Sequence, residues 1–240
     1  MDDFQTAEKA ANAFQHEGFF ANVVTGIQQA FERGDPWLFF ILLAALFAII
    51  FVLERFFRLY FHYSINGKEF MREIERYVYD GDTDGAIRVC NAKPNASLPQ
   101  VIKAGLQRAS RSEEQIQNAL DAASLEQIPK LERRLSYIGL IANLATLLGL
   151  LGTIAGLIRS FGAIGAELAD PSQRQAMLSA GIAEAMNATA LGLLTAIFAM
   201  IMHNILANKA NRITEEIDEY SVKLLDYLST HHYKHSTESK

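Results

Sequence analysis

Ser136–Ile158, SYIGLIANLATLLGLLGTIAGLI, carries no charged residue from end to end. As a helix it has the length needed to cross a bilayer core of about 30 Å. Working outward, the same holds for Pro36–Leu53 on one side and Ala185–Asn208 on the other. These three windows exclude a soluble globular domain and predict an all-α membrane protein with three transmembrane helices. The expected organisation is an interfacial segment over 1–35, a first span over 36–61 and a polar segment over 62–135. A second span over 136–160, a short loop over 161–180, a third span over 181–206 and a C-terminal helix and tail over 207–240 follow.

Composition narrows the class further. Half of the 240 residues are apolar, and 15 Gly with 5 Pro fit neither collagen nor a Pro-rich disordered chain. A single cysteine, Cys90, excludes a disulfide scaffold. The net charge of −5 argues against nucleic acid as a partner. Lys and Arg number eleven in 62–135 and five after Asn208, against two in 1–35 and one in 161–180. The positive-inside rule then predicts an outer N-terminus, with the middle segment and the tail in the cytoplasm. Met1–Gly18, with Asp2, Asp3 and Glu8 against Lys9, does not read as a secretory signal peptide and is expected to stay on the protein.

Flanking segments read as helices. Phe14, Phe19, Phe20, Val23, Val24, Ile27 and Phe31 recur at roughly helical spacing, predicting an amphipathic helix that lies in the interface or packs on neighbouring subunits. Arg55 and Arg58 are expected to close the first span at the cytoplasmic surface. Asp80-Gly81-Asp82 and Lys93-Pro94-Asn95 divide 62–135 into short helices, and Ser112-Glu113-Glu114-Gln115 has a capping-box spacing. Past the third span, Ile213, Ile217, Tyr220, Leu224 and Tyr227 or Leu228 form a heptad seam. Spans two and three should therefore extend into a cytoplasmic helical bundle.

The information is concentrated in spans two and three. Ser136, Gly139, Asn143, Thr146, Leu150 and Thr153 fall on one narrow arc of span two, with Gly149, Gly152 and Gly156 beside it. On span three, Gly181, Glu184, Ala185, Ala188, Thr189, Gly192, Thr195, Ala196, Ala199 and His203 share about half the circumference. Polar groups in hydrocarbon are costly unless they face a bundle interior or water. Asn143, Thr146, Thr153, Glu184, Thr189 and Thr195 are therefore candidates for an ion pathway. The plainer account is tight helix packing, with threonines bonded back to their own carbonyls. For Glu184 it is a charge near the start of span three that complements the helix dipole, and for Arg159 an anchor at the outer interface. No phosphate loop, metal-ligand spacing or nucleophile elbow is present, so the chain does not read as an enzyme and no cofactor is expected. No carboxylate lies mid-span, so a partner would have to bring one if ions pass.

Leu147-Leu148-Gly149-Leu150-Leu151-Gly152-Thr153-Ile154-Ala155-Gly156 and Gly181-Ile182-Ala183-Glu184-Ala185-Met186-Asn187-Ala188-Thr189-Ala190-Leu191-Gly192-Leu193 carry a resemblance. They are similar to L-L-G-L-x-G-T-x-x-G and G-I-A-E-A-x-x-A-T-A-x-G-L of the TolQ/ExbB/MotA proton-channel family. The three-span layout resembles the TolQ/ExbB branch. The resemblance implies a homopentamer in the bacterial inner membrane around a dimer of an ExbD/TolR-like single-span partner, whose aspartate carries the ion. It implies that Thr153 and Thr189 are pore threonines, that Glu184 is the motif glutamate, and that Gly149, Gly152, Gly156 and Gly192 permit close packing. Thr146 and Phe198 stand where many members have Pro. The added Thr146 hydroxyl leaves both H⁺ and Na⁺ open as the transported ion. The function so implied is an ion-conducting motor subunit that transmits energy through the partner to the cell envelope; a non-conducting membrane scaffold is the alternative.

Overall fold

A computed structural model of the chain describes Gln28 and residues 36–164 and 170–238. Among these residues the fold is helical, with no strand. The elements are α1 (Pro36–Phe57), a π-helical segment (Arg58–Tyr63), α2 (Gly67–Tyr79), α3 (Thr83–Asn91), α4 (Ser97–Leu106), α5 (Glu113–Glu132), α6 (Leu135–Ile164) and α7 (Pro171–Glu238). The expected amphipathic helix before Pro36 and the centre of the loop after the second span lie outside the described residues. Helix α7 starts at Pro171, ten residues before the third span was expected to begin, because 172–180 contains no Gly or Pro to interrupt it. Among the described residues, three helical stretches are long and apolar enough to cross a membrane.

The described residues form two compact units. One comprises residues up to Phe51 together with Tyr137–Ile201; the other comprises Val52–Ser136 together with residues from Met202 onward.

In the first unit, Leu38 and Ile41 of α1 pack on Ala188 and Leu191 of α7, with Leu42 and Leu148 against them. With Ala48, Leu38 and Ile41 form the one buried stripe of α1. Elsewhere its surface is greasy: Phe39, Phe47 and Ile50 on α1, Leu147 on α6, and Ile197 and Ile201 on α7 are all exposed. Covering a large apolar side chain is worth about 1.5–3 kcal/mol in water. A surface built this way is suited to lipid, where no such cost arises.

The second unit has a conventional apolar core. Helix α2 buries Phe70, Met71, Ile74 and Val78, one face of an amphipathic helix, opposite Lys68, Arg72 and Glu73. Asn66 caps it by accepting from Glu69 N–H at 3.4 Å, and Asp82 caps α3 through Gly85 N–H at 2.8 Å. Gly81, at φ +74°, makes the intervening turn. The heptad seam of α7 is buried at Ile213, Ile217, Leu224 and Leu228, so Leu228 rather than Tyr227 completes it. It packs within the same chain: Gly67 of α2 sits against Tyr220, and Gly105 of α4 against Leu120 and Leu224. Helix α5 begins after Ser112 as the capping-box spacing predicts, although the Ser112 side chain makes no cap hydrogen bond.

The end of α5 is unusual. Pro129 lies inside the helix, which stops at Glu132, and Arg134 takes φ +71° before α6 begins. Arg55, expected at the membrane surface, is 1% exposed. Its Nη2 donates to the carbonyls of Lys130, at 3.2 Å, and of Leu131. These are the acceptors that a helix leaves open in its last turn. Glu54 pairs with Arg134 and, at 3.2 Å, with Arg58.

Candidate ion path at the contact of α6 and α7

The small residues of the two motifs interlock. A Cβ added at Gly149 would lie 3.3 Å from Gly192 Cα, and one at Gly152 would lie 2.7 Å from Ala188 Cβ. At Gly156 the neighbour is Ala185 Cβ, at 2.9 Å. Further along, Ser160 fills the space beside Gly181. Glycine spaced at three and four residues therefore brings one backbone against the other, as the sequence spacing predicts.

That approach sets two threonines face to face. Thr153 Oγ1 and Thr189 Oγ1 lie 3.1 Å apart. Thr189 Oγ1 donates to Gly149 O at 3.0 Å, and Thr153 Oγ1 to Leu150 O at 2.7 Å, with Gly149 O also in reach at 3.3 Å. Each hydroxyl has one proton, so two protons are shared among four acceptors: two carbonyls and the two hydroxyl oxygens. Rotation of the Thr153 hydroxyl moves its hydrogen bond from Leu150 O on its own helix to Thr189 Oγ1 on the other, whereas Thr189 exchanges one α6 acceptor for another. Both side chains are half-buried.

The other candidates are placed differently. Thr146 Oγ1 bonds back to Ala142 O at 3.2 Å, as the packing account anticipates, and it and Asn143 are exposed on the same arc of α6 as Thr153, about two and three turns along the helix from it. Thr195 is 7% exposed and six residues beyond Thr189, on a different side of α7. Glu184 forms an ion pair with Arg159 that ties α7 to α6. The dipole account of Glu184 does not hold, because α7 begins thirteen residues earlier and the dipole acts within the first turn. Nor is Arg159 simply an interfacial anchor. The pair escapes sequence reasoning because the two residues are 25 positions apart on different helices. The burial of Arg55 escapes it because a basic residue after an apolar run ordinarily marks an interface.

A multi-pass helical membrane protein whose second and third apolar helices meet through glycines and share a hydroxyl pair is the class defined by this arrangement. A sequence profile described as the MotA/TolQ/ExbB proton channel family matches residues 93–219, which includes both motifs. That is more than half of the chain, and the chain belongs to this family. The Tol-Pal system protein TolQ of Haemophilus influenzae is 31% identical over 134 residues, covering 54% of this chain and 53% of that protein. The biopolymer transport protein ExbB of Aquifex aeolicus is 34% identical over 116 residues, covering 48% of this chain and 68% of that protein. The chain spans about half the length of the curated TolQ relatives it matches. Among solved structures, C. jejuni MotAB is similar in fold at a TM-score of 0.51 and 17% identity, over 85% of this chain and 94% of that one.

Proposed function

We propose that this chain is the ion-conducting subunit of an ion-gradient-driven motor in the bacterial inner membrane, of the TolQ/ExbB kind. Its N-terminus lies in the periplasm, and it assembles as a homopentamer around a single-span partner dimer of the ExbD/TolR type. The transported ion is H⁺ or Na⁺. Ions descend their gradient past Thr153 and Thr189 to a carboxylate of the partner, and the resulting displacement of the partner does work on the envelope. One charge moving through 100 mV releases about 2.3 kcal/mol, so a few ions per stroke suffice to rearrange a protein contact.

The observation that carries this reading is the 3.1 Å approach of the Thr153 and Thr189 oxygens, with two protons distributed over four acceptors. Simple packing would be served as well by valine, which has the same shape without the hydroxyl. The experiment is replacement of both threonines by Val in the full chain in its native host, with the phenotype of the deletion strain as readout. A Thr153→Val/Thr189→Val chain that accumulates in the membrane yet behaves as the deletion supports conduction. One that accumulates and restores function favours the scaffold. Thr153→Ser/Thr189→Ser retains the hydroxyls and is expected to keep activity.

A further inference from the structure

We infer that Arg58 and Arg134 form a binding site for the phosphate of an anionic phospholipid, at the level where the first two spans leave the membrane. The inference depends on the membrane placement of these spans and stands apart from conduction. Glu54 directly follows the uncharged window Pro36–Leu53, and Arg134 lies two residues before Ser136–Ile158. Both positions are therefore at the edge of the hydrocarbon, within the headgroup layer. Phe57 and Phe61, stacked at 5.8 Å and exposed, supply aromatic rings of the kind that layer accommodates.

Glu54 draws the two arginines together. Its Oε1 accepts from Arg58 Nε at 3.2 Å and from Arg134 Nη1. Each guanidinium carries five N–H donors, so most of them remain for a second acceptor. The Arg58 side chain is about half exposed and that of Arg134 about one-third, so both are open to a ligand. Arg55 is buried within Coulombic range of both, and its Nε has no hydrogen-bond partner. Over 54–58 and 126–134 five basic residues stand against three acidic ones. The cluster thus keeps a surplus of positive charge in a layer where the anions at hand are lipid phosphates.

The backbone supports the same assignment. Arg134 holds φ +71°. A left-handed conformation at a residue other than glycine costs more than a partly exposed ion pair returns, so the contact with Glu54 does not account for it. Strain of this kind is found where a ligand is clamped. The helix ends agree in sign. Arg55 covers open carbonyls at the negative end of α5, whereas α6 starts, with its positive end, one residue after Arg134. A phosphodiester between the two arginine forks gains charge-assisted contacts to both. A zwitterionic lipid offers the same phosphate but brings its own cation into a cluster already positive, so the preference falls to lipids of net negative charge.

The test uses the purified full chain in detergent micelles, titrated with phosphatidylglycerol or phosphatidylcholine. Bound lipid is read by native mass spectrometry and stability by the melting temperature. Wild type is expected to retain phosphatidylglycerol at a concentration about tenfold lower than phosphatidylcholine, the ratio supplied by one charge-assisted contact, and to melt higher with it. Arg58→Gln/Arg134→Gln should abolish that preference. Arg134→Gly, which relieves the backbone strain and is expected to fold as well as wild type, should lose it even if the double variant does not accumulate. Lys68→Gln/Arg72→Gln removes two exposed positive charges from α2 and should bind as wild type. Equal retention of the two lipids by wild type overturns the inference, as does an Arg134→Gly chain that keeps the preference. Equal weakening by Lys68→Gln/Arg72→Gln would show diffuse attraction and overturn it too. So would a melting temperature raised as much by glycerophosphoglycerol, which has the phosphodiester without the acyl chains.

Discussion

The guanidinium of Arg55 donates to the carbonyl of Leu131, joining the end of α1 to the end of α5 across 76 residues. Arg55 also reaches Lys130 O, so one side chain serves two acceptors of a terminating helix. Arg55→Met should leave those carbonyls open and cost about 2–4 kcal/mol. The check is thermal unfolding in detergent, together with faster tryptic cleavage after Arg133. For Arg134 two effects compete. Its left-handed backbone costs about 1–2 kcal/mol, while its partly exposed ion pair with Glu54 returns about 0–1 kcal/mol. Arg134→Gly is therefore expected to be neutral or stabilising, and Arg134→Ala, which keeps the strain and loses the pair, destabilising.

At Gly192 a methyl group would meet Ala145 O at 2.7 Å and Gly149 Cα at 2.9 Å, both backbone atoms that cannot turn aside. Gly192→Ala should lower stability by about 1–3 kcal/mol through overpacking and separate the two threonine hydroxyls. Gly162, on α6, has nothing within 4 Å of such a methyl. Gly162→Ala should leave stability unchanged or raise it by about 0.5–1 kcal/mol. Melting temperatures of the two variants, measured side by side, check the contrast.

Cys90 is 2% exposed, and burial pushes its thiol up to about 12, with Lys103 opposing weakly. An unfolded thiol ionises near pH 8.5. Below that pH both states hold the proton and stability is at its full value. As pH rises toward 12 only the unfolded chain releases it, so stability falls by up to about 1.4 kcal/mol per pH unit. Cys90→Ala should flatten this decline. At pH 8 the single thiol should resist alkylation in the native protein and react at once after denaturation.

The periodicities that sequence reasoning uses report one helix at a time, and this sets what they reached. Three uncharged windows, the turns at Gly81 and Pro94 and the buried stripe Ile213, Ile217, Leu224 were all legible, because each depends on neighbours within one element. So was the placement of Thr153 and Thr189 on the small-residue faces. Their mutual approach was not, since it depends on the register of α6 against α7. The inward turn of Arg55 and the Arg159–Glu184 pair are likewise contacts between distant segments. The early start of α7 was missed because the polar run after Pro171 weakens the apolar signal while leaving helix formation intact.

Gly149 fixes two properties with one residue. Its absent side chain admits Gly192, and its carbonyl accepts from both Thr189 and Thr153. Helix spacing and hydroxyl orientation are therefore not separately adjustable at this position: any bulk that widens the contact also removes the shared acceptor from at least one threonine. Variants meant to alter the hydroxyl chemistry while keeping the assembly intact must therefore be made at Thr153 and Thr189 themselves, where one side-chain atom can be exchanged without moving the backbone.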